Sequence, residues 1–125
     1  MSEVFIIEPP RHNIDVSKAA KYGEIIYVFN YSDRRCSVWS HVSFGMTVLQ
    51  RLKELGFDSK NDFICVVGSM VTVVIAFIAI AQHYDEFNVL LFNSIDDAYV
   101  QKRFNRYDWK GSYDEARDAT VTEPN

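Results

Sequence analysis

Cysteine, glycine and proline are scarce in this chain, which has two, five and three of them among 125 residues. Cys65 lies in an apolar, strand-like run, where it is expected to pack as a small hydrophobe rather than to bridge a loop. The N-terminus also lacks the basic-then-apolar pattern of a secretory signal. We therefore expect a reducing compartment, the cytoplasm, and no export.

The chain also has fewer basic than acidic residues. Thirteen Lys and Arg stand against seventeen Asp and Glu, which gives a formal net charge of −4. Nonspecific nucleic-acid binding needs a basic surface or a clear basic patch, and the sequence has neither. We expect no nucleic-acid partner.

Familiar catalytic and cofactor motifs are missing from the sequence. It has no GxGxxG, no phosphate-binding GxxxxGK[ST], no GxSxG and no paired-histidine spacing. The acidic pairs at residues 85–86 and 96–97 adjoin predicted turns, where acids are favoured for local hydrogen bonding. From these observations we expect no catalytic residue, no cofactor and no metal site. They argue against an enzyme, but they leave open whether the protein has an enzymatic activity.

A charge-free run over residues 63–81 raises the question of a membrane span, because its length could cross a bilayer. Gly68 and Ser69 divide the run into a β-rich half and a helix-like half. Two buried elements of an α/β domain explain this pattern. We prefer that interpretation and expect no membrane contact.

The strand predictions rest on β-branched and aromatic runs bounded by turn residues. Residues 24–29, 63–67 and 87–93 are predicted as three core strands, the first of them buried on both faces. Residues 98–104 are predicted as an antiparallel edge strand. Residues 4–7 precede two prolines and are expected to form an edge strand or an arm.

Two helices are predicted between these strands. Over residues 40–55, Val42, Met46, Leu49 and Leu52 recur at three- and four-residue steps, and Gly56 is suited to end the helix. Residues 70–84 form a second helix that is apolar nearly all round. Such a helix either lies deep in the domain or faces another subunit.

Alternation of strands and helices predicts an α/β fold, a small three-layer-like domain with a short, mostly parallel sheet of three core strands and an antiparallel edge strand. Residues 1–104 are expected to form this single domain. Residues 105–125 form an aromatic C-terminal segment and a polar tail.

Ligands of parallel sheets bind outside the carboxyl ends of the strands. The candidate ligand-binding residues at those ends are Asn30, Ser32, Arg34, Arg35, Gly68, Ser69, Asn93 and Ser94. Gly68 and Ser69 open the second helix, where backbone amides attract a phosphate, although the pair is more simply a tight turn with an N-cap. The two arginines are either the cationic partner of such a ligand or part of a solvated loop.

Three stretches carry a resemblance to known proteins: PRHNIDVSKAAKYGEIIYVFN, DFICVVGS and FNVLLFNSIDDAYVQKRF. They resemble small uncharacterised α/β proteins of tailed phages and prophages over residues 10–104. The resemblance implies a phage origin and a small α/β fold, with a location in the host cytoplasm or the virion. It implies no catalytic residues.

Two functional hypotheses follow. The first is a nonenzymatic phage-type protein that forms a homo-oligomer, or contacts another viral or host protein, through Ile75, Ile78, Trp109 and Tyr113. The alternative is a domain that binds a nucleotide or another phosphate ligand at the carboxyl edge of the sheet.

Overall fold

The computed structural model describes residues 2–10, 15–30 and 40–108. Its elements, in chain order, are β1 (Glu3–Ile6), a 3₁₀ helix (Val16–Tyr22), β2 (Glu24–Tyr27), α1 (His41–Glu54), β3 (Phe63–Val66), α2 (Met70–His83), β4 (Glu86–Asn93) and β5 (Ala98–Asn105). The predicted α/β class is confirmed.

One sheet of five strands runs through the described residues in the order β2-β1-β3-β4-β5. The pairs β1–β2, β1–β3 and β3–β4 are parallel, and β5 is antiparallel to β4 at the edge. The predicted antiparallel edge strand is therefore confirmed. The prediction of three core strands was wrong, because β1 adds a fourth parallel strand.

The position of β1 corrects the expectation of an edge strand or an arm. Val4, Phe5 and Ile6 are fully buried, and β1 pairs with strands on both sides. The prolines that suggested an edge follow the last paired residue, so they remove no hydrogen bond from the ladder.

The segment predicted as a strand buried on both faces is instead the other edge of the sheet. Both ends of β2, Glu24 and Tyr27, are exposed. Ile25 and Ile26 are half-buried against the core on either face, and the buried residues of the segment, Val28 and Phe29, lie just beyond the strand. The Phe29 ring stacks on Phe44 of α1, with ring centroids 5.0 Å apart.

The helices divide between the two faces of the sheet. Side chains of α1 and α2 share one core cluster with Phe5 and Ile64, whereas Ala19 of the 3₁₀ helix packs on the opposite face with Val4 and Cys65. Right-handed crossovers require this arrangement, because the chain steps one way from β1 to β2 and the other way from β2 to β3 and β4.

The predicted bounds of α1 are close to those observed, and its ends form as the sequence suggests. The Ser40 side chain accepts the Ser43 amide at 3.0 Å, so it caps the N-terminus. Gly56 has a φ of +80° and lies in the left-handed region. The Phe57 amide then donates to the Leu52 carbonyl at 2.9 Å and closes the helix.

The buried face of α1 differs from the prediction. Leu52 is buried as expected, but Val42 and Met46 are exposed, and the core contacts are made by Phe44 and Val48. The neighbouring helix α2 explains why the buried face of α1 is rotated about the helix axis from the predicted one. A Cβ on Gly45 would lie 3.1 Å from the Ala79 Cβ, so α2 approaches α1 closely along this side.

Helix α2 matches its predicted bounds to within a residue, and Ser69 is its N-cap as expected. Thr72, Ala76 and Ile80 form its buried face. Arg106 caps its other end by donating to the carbonyls of Ala81 and Gln82. In the described part of the chain, no helix is long and apolar enough to span a bilayer.

The close approach of Gly23 to β1 yields a stability prediction. A Cβ on Gly23 would lie 2.3 Å from the Ser2 carbonyl oxygen, so either β1 or β2 would have to move. We expect Gly23→Ala to lower the free energy of unfolding by about 3 kcal/mol, measured by urea denaturation.

Gly56→Ala is the matched control, because nothing lies near the added Cβ and only the positive φ is strained. That strain costs about 1 kcal/mol. A loss for Gly23→Ala no larger than that for Gly56→Ala would contradict this account of the β1–β2 contact.

Candidate functional site

The carboxyl ends of β1 and β3 meet where the chain reverses its direction of travel across the sheet. Ligands of open α/β sheets bind at this kind of switch point. Glu8 follows β1, and Gly68 and Ser69 follow β3 at the start of α2. The Ser69 hydroxyl lies 3.5 Å from Oε1 of Glu8, so the structure brings these segments together.

Ser69 joins this carboxylate to the first turn of α2. Its Oγ accepts the Thr72 amide at 3.3 Å and lies 2.8 Å from the Thr72 hydroxyl oxygen. Gly68 has a φ of +128°, a backbone conformation that side chains rarely adopt. The Gly68–Ser69 pair thus acts as the tight turn and N-cap that the sequence favoured.

Glu8 is the group at this edge that sequence reasoning missed. The side chain is buried, with 6% of the residue exposed. The positive end of the α2 dipole favours a negative charge at this point, and the chain supplies one itself. The only signal in the sequence is an acid placed directly between an apolar run and two prolines.

This carboxylate decides what the edge can bind. A phosphate at the α2 N-terminus would stand near Glu8, and two like charges about 4 Å apart repel by roughly 4 kcal/mol near a protein surface. The described residues therefore disfavour an anion here. The polar groups available here are the hydroxyls of Ser69 and Thr72 and the Glu8 carboxylate, which is a hydrogen-bond acceptor.

The other predicted ligand residues do not gather at this point. Asn30 follows β2, which β1 separates from β3, so about 10 Å of sheet lies between their ends. Asn93 shapes the β4–β5 turn, since it donates to Asp96 and accepts the Ile95 amide, both at 3.0 Å. Ser94 is an exposed residue of the same turn. Ser32, Arg34 and Arg35 lie outside the described residues.

On the opposite face of the sheet, Cys65 is fully buried beside Tyr99. Burial raises the pKa of the Cys65 thiol to about 11, so the thiol is protonated at neutral pH and is a poor nucleophile. Burial likewise raises the pKa of Tyr99. Across residues 2–10, 15–30 and 40–108, no three His, Cys, Asp or Glu side chains lie together as metal ligands.

The second candidate surface is the outward face of α2. Met70, Val71, Val74 and Ile78, here called the α2 ridge, are between 48% and 81% exposed. Val71, Val74 and Ile78 follow one another at steps of three and four residues, so they line one side of the helix. The sequence of the helix contains no Asp, Glu, Lys or Arg.

Of the predicted interface residues, Ile78 belongs to the α2 ridge. Ile75 is half-buried and packs against the core cluster. Trp109 and Tyr113 lie outside the described residues. On α1, the exposed side chains of Val42 and Met46 add to the apolar surface on the helix-covered side of the molecule.

Comparison with known proteins identifies a family. A family model described as phage Pam3 gp32-like protein matches residues 2–106, a span that contains every strand and helix named above. No curated protein and no solved structure matches the chain.

The role of Glu8 generates a binding prediction. We expect the protein to bind inorganic phosphate with a Kd no tighter than about 1 mM in calorimetric titration, because the carboxylate repels the ligand. Glu8→Gln keeps the shape and removes the charge, so it should strengthen phosphate binding by about tenfold or more. Phosphate binding that is tighter in the unaltered protein than in Glu8→Gln would contradict the assignment.

Proposed function

The chain belongs to the phage Pam3 gp32-like protein family, and from that premise we propose that it acts by self-association through the α2 ridge. In this proposal the protein is a nonenzymatic component of the phage, working in the host cytoplasm or the virion. A second copy of the chain is its first partner, and another viral or host protein is the second class of partner.

The single observation that carries the proposal is the exposure of four apolar side chains along one uncharged helix face. Fully burying a Val, Ile or Met side chain contributes about 1.5–3 kcal/mol, so covering a half-exposed one contributes about 1 kcal/mol. A surface of this kind on a small domain is typical of a protein–protein contact.

The uncharged character of the ridge favours a copy of the same chain. A two-fold contact sets identical surfaces against each other, so any charge at its centre meets its own sign. The α2 ridge avoids that penalty. Side chains at steps of three and four residues also suit packing against another helix.

The phosphate-ligand hypothesis has less support. It needs a cation or free amides at the strand ends, and Glu8 supplies a buried carboxylate there instead. Ser69, the residue expected to contact the ligand, is engaged with Glu8 and Thr72.

Ile78→Glu tests the proposal in sedimentation velocity. The substitution removes an apolar contact from each copy and places a charged carboxylate in the apolar contact twice, once from each copy. We expect the dimer Kd to rise on the order of 100-fold, equivalent to about 2.7 kcal/mol. Ile78 is 51% exposed, so the fold of the single chain should tolerate the change.

Ile95→Glu is the matched control, because it makes the same substitution at a residue that is 93% exposed in the β4–β5 turn. It should leave the dimer Kd unchanged. If both variants raise the dimer Kd equally, or if Ile78→Glu leaves it unchanged, the α2 ridge is not the contact between the two copies.

A further inference from the structure

A trough lies beside the α2 ridge, between α2 and the last strand. It consists of two adjoining cavities of about 450 and 340 Å³ that share Phe77, Phe104 and Asn105. The first cavity is also lined by Ile78 and Ala81, and the second by Leu91. We call this the α2–β5 trough.

The trough exists because the helices do not reach across the whole sheet. Leu91, on the helix-covered face of β4, is 41% exposed although it lies opposite Val66 of β3. Parallel sheets are normally covered on both faces. An apolar strip beside β5 is therefore left without cover from the described residues.

Ridge and trough adjoin each other, since Ile78 belongs to both. A convex apolar ridge next to a concave apolar trough is self-complementary. A two-fold axis can place the α2 ridge of each copy in the trough of the other.

Four charged residues line the trough, and two of them are the arginines Arg103 and Arg106. Lys102 and Asp108 both line the second cavity. Neither side chain makes a hydrogen bond or ion pair within the described ranges. The neighbouring arginines are already engaged: Arg103 with Glu86 at 3.0 Å, and Arg106 with Asp85 at 3.4 Å.

We infer that the α2 ridge of one copy packs into the α2–β5 trough of the other, and that Lys102 of each copy pairs with Asp108 of its partner. This inference rests on the proposed self-association and specifies its geometry. The pairing fixes the register of the two copies, since an isologous contact forms each pair twice.

A charge swap tests this geometry in the full chain. Lys102→Asp and Asp108→Lys should each raise the dimer Kd by about tenfold. Either substitution places two like charges opposite each other, and the two-fold symmetry repeats that repulsion twice. The double variant restores both pairs with their signs exchanged. It should return the Kd to within about threefold of the unaltered protein.

Lys53→Asp and Glu54→Lys are the controls, since they make comparable charge changes at exposed residues near the end of α1. They should leave the dimer Kd unchanged. If Ile78→Glu disrupts the dimer but the double variant has a dimer Kd no lower than those of the single variants, the packing of ridge into trough is overturned and the proposed self-association stands. If the unaltered protein stays monomeric at every concentration, both the proposed self-association and the ridge-into-trough geometry are overturned.

Discussion

The burial of β1 between β2 and β3 is the constraint on which the rest of the structure depends. With β1 in that position, the chain must cross over it to reach β3 and then continue in the same direction to β4. Right-handed crossovers place both α-helices on one face of the sheet and leave the other face to the 3₁₀ helix. As the outer helix of the pair, α2 has α1 on one flank and the α2–β5 trough on the other.

Local signals in the sequence were sufficient for the parts of the fold that depend on neighbouring residues. Ser69 and Gly56 mark helix ends because capping and a positive φ are properties of one turn. The β5 edge was predicted because a turn precedes it and Lys102 and Arg103 give it mixed polarity. The apolar composition of α2 is enough by itself to indicate a helix that needs further cover.

The remaining features depend on contacts between residues far apart in the sequence. Pairing of β1 on both sides could not be seen from its own residues, and the prolines after it suggested an edge. The buried face of α1 is set by the approach of Ala79 to Gly45, which the periodicity of α1 alone does not contain. Glu8 acquires its role only because the fold places it beside the N-terminus of α2.

The mass of the protein in solution tests the proposed self-association most directly, measured without detergent by light scattering coupled to size exclusion over a range of concentrations. A self-associating protein should show a mass that rises with concentration to twice the 14.5 kDa of the chain. A mass of 14.5 kDa at every concentration would contradict the assignment of the α2 ridge as a contact between copies.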